Sequence, residues 1–99
     1  MNEKLTIIAR IEALPDQIEL VKSELLKLVG PTLQENGCIQ YDLHQDNKNP
    51  AVFFFYENWE SRGLSKQHMK SRHLADFMKA TDGSMASFSL NEVSKLAAA

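Results

Sequence analysis

His68 and His73 are the side chains of this sequence best suited to move a proton. An imidazole changes charge near neutral pH, which makes it a common general base. His68 lies four residues after Leu64, and His73 four before Phe77, so at helical spacing each leans toward an apolar face. His73 also follows a possible cap, Ser71, into a first helical turn where the helix dipole disfavours the imidazolium. On one continuous helix the two rings would stand about 140° apart around the axis, a poor grip for a metal ion. Contacts at a pocket rim or an interface would suit both histidines equally well. Upstream, Trp59 shares strand parity with Phe55 and Phe53, on the face expected to carry Ile39, Tyr41 and Leu43. That group could form an aromatic floor for a ring-shaped ligand, although an ordinary core would use the same residues.

Other chemistries find little support. No GxGxxG, HExxH or 2-His-1-carboxylate pattern is visible, so no metal and no organic cofactor is expected. The single cysteine, Cys38, cannot form an intrachain disulfide and reads as a small packing residue rather than a redox centre. Eleven basic and 13 acidic residues are intermixed, for a net charge of −2, which leaves no patch for a nucleic acid or an anionic membrane. The opening residues lack the apolar stretch of a signal peptide, and no run could span a bilayer; a cytoplasmic protein is expected.

The positioning elements fit one domain, residues 1–99, with 43% hydrophobic residues to build a core. Leu5 to Ala13 alternates as a half-buried strand. Asp16 and Glu19 have the spacing of a capping box before a stripe of Ile18, Val21, Leu25 and Leu28. Gly30-Pro31 should kink or end that helix, and Asn36-Gly37 is the firmer stop. Residues 38–45 and 51–59, joined by a short turn sequence, read as an antiparallel hairpin. Ser61 and Ser71 could cap two short helices, the second lined by Leu74, Phe77 and Met78, and residues 87–93 read as a last strand. The order is βαββαβ, an α+β ferredoxin-like plan. Phe53 and Phe55 would face the helices while Val52, Phe54 and Tyr56 face away. A strand apolar on both faces needs cover on both, and a second copy of the chain supplies it, so a homodimer is expected. His44, sharing parity with Gln40 and Asp42, would join a polar cluster in that seam.

Three segments in order, GCIQYDLHQD from Gly37, FYENWES from Phe55 and HMKSRH from His68, resemble the antibiotic biosynthesis monooxygenase (ABM) domain family over Leu5 to about Val93. The resemblance implies a dimeric α+β barrel. Characterised relatives include cofactor-free oxygenases of aromatic polyketides, quinol monooxygenases, haem-degrading enzymes and an isomerase of a phosphorylated sugar. Cofactor-free oxygenation requires an electron-rich aromatic substrate, O2, a base and a water-poor pocket. His68 and His73 are then the catalytic candidates, and Trp59, Phe55 and Tyr41 the substrate-binding ones. The polyketide oxygenases place an Asn four residues before the Trp, where this chain has Phe55, so that role does not carry over. No Asn lies within Thr6–Glu12 and no histidine follows Phe77, so haem is not expected. An isomerase or lyase of a small metabolite, phosphorylated or not, and a non-enzymatic small-molecule-binding dimer stay open as alternatives.

Overall fold

A computed structural model of the chain describes residues 4–98; readings that fall on residues 1–3 and on Ala99 lie outside them. Strand β1 (Leu5–Ala13) leads to helix α1 (Ile18–Leu33) and then to the hairpin of β2 (Cys38–Gln45) and β3 (Val52–Trp59). Two short helices, α2 (Arg62–His68) and α3 (Arg72–Ala80), precede strand β4 (Met85–Val93). The strands form one antiparallel sheet in the order β2-β3-β1-β4. The expected ferredoxin-like βαββαβ plan is present, with its second helical connection broken in two.

The helices lie on one face of the sheet because the strands alternate. Leu5, Ile7, Ala9, Ile11 and Ala13 of β1 are all buried and meet Val21, Leu25 and Leu28 of α1. Phe53, Phe55 and Trp59 of β3 join the same core, and Trp59 has no exposed surface at all. Ser61 and Ser71 cap α2 and α3 as expected, accepting from the backbone N–H groups of Leu64 and Leu74.

Several local expectations are corrected. The capping box of Asp16 and Glu19 does not form: Gln17 is the N-cap residue and makes no side-chain cap bond. A turn closed by Gln17 N–H on the Leu14 carbonyl holds Asp16 outside the helix start. Helix α1 runs through Gly30 and Pro31 to Leu33, because proline removes only one bond close to where the helix ends anyway. Gly37 then turns the chain with φ +87°, and a Cβ there would press into the Leu64 side chain. A register shift between Cys38 and Gln40 rotates the start of β2, so Cys38 packs on the core and Ile39, expected inward, is 48% exposed. Met78 is exposed rather than core-lining, and Val52, expected on the open face, is already buried within one chain.

Candidate active site

Strand parity on β3 places Phe53, Phe55, Glu57 and Trp59 on the helix-covered face, so one carboxylate sits in an apolar row. Glu57 is 4% exposed, and its Oε1 accepts a hydrogen bond of 2.9 Å from Trp59 Nε1. Burial pushes its carboxyl up to about 7, with the Trp59 bond opposing and the Glu35 charge adding to the rise. Beside it, Tyr41 stacks on Phe55 with ring centres 4.3 Å apart. Burial, with the Glu57 charge behind it, raises the Tyr41 phenol far above its ordinary range, so it remains an O–H donor. Burial and the charges of Glu35 and Glu57 likewise push the Cys38 thiol up to about 11, which leaves it a poor nucleophile.

His68 closes this group from above. It ends α2, is 3% exposed, and its ring lies 5.0 Å from Trp59 and 5.4 Å, edge-on, from Tyr41. A turn at Met69–Ser71 breaks the helix, so that α3 brings His73 to the same place. His68 Nδ1 and His73 Nε2 both reach Glu35 Oε2, at 2.7 Å and 2.6 Å. Glu35 stands in the turn after α1, its N–H on the Thr32 carbonyl and its own carbonyl accepting from Cys38. The separation of about 140° required a continuous helix, so it does not hold. Contrary to the sequence expectation, two histidines and a carboxylate do converge, with ligand atoms within 4.8 Å of one another.

A cavity of about 40 Å³ opens between the sheet and the helices. His68, Glu57 and Tyr41 supply its polar groups, and Phe55, Met69, Leu74, Phe88 and Leu90 are among its apolar walls. The expected substrate-binding residues divide here: Tyr41 and Phe55 line the cavity, whereas Trp59 stands behind the wall and holds Glu57. The histidines divide too. His73 borders a separate hollow of about 150 Å³ with Glu24, Lys27 and Asp76, on the α1–α3 side. Glu57 and Glu35 were missed as site residues. Parity alone would have turned Glu57 inward, a carboxylate among aromatics; nothing local in the sequence points Glu35 at residues 33 and 38 positions later.

The family model described as antibiotic biosynthesis monooxygenase matches residues 4–80. Among solved structures, PA3566 from Pseudomonas aeruginosa is 33% identical and superposes with a TM-score of 0.92 over 98% of both chains. Rv0793 of Mycobacterium tuberculosis, provisionally named a monooxygenase, is 29% identical over 77 residues, covering 78% of this chain and 75% of that protein. An uncharacterized protein of Synechocystis is 22% identical over 85 residues; they make up 86% of this chain but only 58% of that relative. With the fold and the three ordered motifs in place, the chain belongs to the antibiotic biosynthesis monooxygenase family.

Proposed function

We propose that the protein is a cofactor-independent monooxygenase that oxidises a hydroquinone or similar electron-rich aromatic with O2. Family membership supports monooxygenase-type chemistry in general terms. The observation that carries the finer assignment is an apolar chamber edged by a histidine, a phenol and a buried carboxyl near neutrality. His68 takes the proton of a ring hydroxyl, and Glu57 and Tyr41 orient the remaining oxygens. The electron-rich anion reduces O2, and a C–O bond forms at a ring carbon. The O–O bond then breaks, with the proton returning to the departing oxygen. Quinol and O2 give hydroxyquinone and one water, the substrate supplying all four electrons. Apolar walls keep bulk water from quenching the anion.

The chamber must open for this. About 40 Å³ holds a few waters, whereas a benzene-sized ring needs on the order of 150 Å³. Met69 and Phe88, both more than half exposed, are the walls free to swing aside. No lysine or arginine lines the chamber, so a phosphorylated substrate finds no counter-charge among the described residues.

The same proposal has the protein act as a homodimer in the cytoplasm. Ile8 is 37% exposed on the open face of the sheet, beside Phe54 and Tyr56, three apolar side chains that a second copy would cover. No helix among the described residues is long and apolar enough to cross a membrane. An oxygen electrode with a panel of hydroquinones tests the activity: uptake without added cofactor is expected. Absence of uptake across the panel, with a sugar phosphate turned over anaerobically, would replace it by the isomerase alternative.

A further inference from the structure

We infer that Glu35 is a positioning residue that fixes the ring tautomer of His68, and that His73 buttresses Glu35 instead of serving as the base. The inference rests on the proposed role of His68 as proton acceptor and adds how that nitrogen is made available. A carboxylate has only lone pairs to offer, so both ring nitrogens bonded to Glu35 Oε2 must carry hydrogen. For His68 the N–H is therefore Nδ1, and the lone pair falls on Nε2, which makes no hydrogen bond to a described residue. This ring edges the reaction chamber. For His73 the N–H is Nε2, directed at Glu35, and the ring borders the other hollow. One histidine is thus presented to the chamber, and the other is held away from it.

The burial gradient agrees. The His68 side chain is 4% exposed, Glu35 18% and His73 22%, so the carboxylate bridges a buried ring and a half-buried one. When His68 takes a proton, the adjacent Glu35 carboxylate balances the charge, as in a Ser-His-Asp triad. The other side chains facing His68 are Tyr41 from β2, Trp59 and Glu57 from β3, and His73 from α3. Of these Glu57 alone offers a second negative charge, and its raised carboxyl makes it the weaker partner.

A metal ion is the rival occupant of the same three side chains. Around an ion with bonds of about 2.0–2.1 Å, neighbouring ligand atoms stand roughly 2.9–3.4 Å apart. The two separations here, 2.7 Å and 2.6 Å, are those of charge-assisted hydrogen bonds. Those lengths suit ring N–H groups donating to one carboxylate oxygen, the arrangement the inference requires.

Nitrogen-15 NMR of the histidine rings tests the inference without any substrate. In the full chain neutral His68 should be Nδ1-protonated. Glu35→Ala should return it to the Nε2–H form that free imidazole side chains favour, while Glu35→Gln, still an acceptor, should keep the native tautomer. In turnover, kcat should fall about 10²-fold in Glu35→Ala and about tenfold in both Glu35→Gln and His73→Ala, with KM little changed. A wild-type His68 in the Nε2–H form would overturn the inference, even if neither Glu35 variant folds. So would one equivalent of Zn2+ bound in equilibrium dialysis and lost in Glu35→Gln. If the tautomer is as expected but no aromatic consumes O2, the oxygenase proposal fails and the positioning geometry stands.

Discussion

The two faces of the sheet use similar residues to opposite ends. On the helix-covered face, Phe53, Phe55 and Trp59 pack to near-zero exposure, and the polar groups among them, Tyr41, Glu57 and His68, are buried at a cavity. On the open face, Ile8, Phe54 and Tyr56 stay partly exposed beside a chain of polar side chains. There Asn58 donates to Gln40 and Gln40 to Asp42, each at 2.7 Å, while Arg10 pairs with Glu12. Apolar surface alone does not separate a candidate reaction chamber from a candidate interface. A buried titratable group held by a defined partner marks the first, because burial is what shifts its chemistry.

The largest effect should come from breaking the open face. Phe54→Asp places an unpaired charge from each copy in the seam, at a cost of several kcal/mol per copy by order of magnitude, so sedimentation at micromolar concentration should show monomer. Wild-type protein that is monomeric there would remove the dimer altogether. On the covered face, His68→Ala should lower turnover about 10²- to 10⁴-fold in steady-state assays while the fold persists. Trp59→Ala should instead act on stability, losing about 3–5 kcal/mol in denaturant unfolding through the cavity it leaves. A large rise in KM with unchanged stability would put Trp59 at the substrate after all.

Glu57 sharpens the contrast through pH. Its folded pKa, about 7, lies above the ordinary 4.5, so between those values the folded state holds a proton that the unfolded chain has lost. Stability should therefore fall as pH rises from about 4.5 to 7 and level off above, by on the order of 3 kcal/mol. Glu57→Gln, which keeps an acceptor for Trp59, should flatten that part of the profile. The smallest expected effect is that of chelators, which should leave turnover unchanged if no ion occupies Glu35, His68 and His73.

Much of the architecture was legible because strand parity and helical spacing are local. The alternation of β1, the two serine caps and the inward row of Phe53, Phe55 and Trp59 follow from neighbours in sequence. What escaped depends on distant partners or on backbone irregularity. A register shift at Cys38 turned Ile39 outward, and no pattern of side chains announces such a shift. The convergence of Glu35 with His68 and His73 required the break between α2 and α3 and the turn at Gly37 to be placed together. Glu57 is a different case. Its parity was readable, but its place in the site rests on a hydrogen bond to Trp59 and on the cavity in front of it.

The central claim, that this chamber inserts one atom of O2 into an aromatic ring, is tested most directly by a turnover of hydroquinone under 18O2. Mass spectrometry should find one labelled oxygen in the hydroxyquinone and the other in water, with one O2 consumed per quinol and no hydrogen peroxide accumulating. Quinone free of label, formed with stoichiometric peroxide or with no O2 consumed, would contradict it.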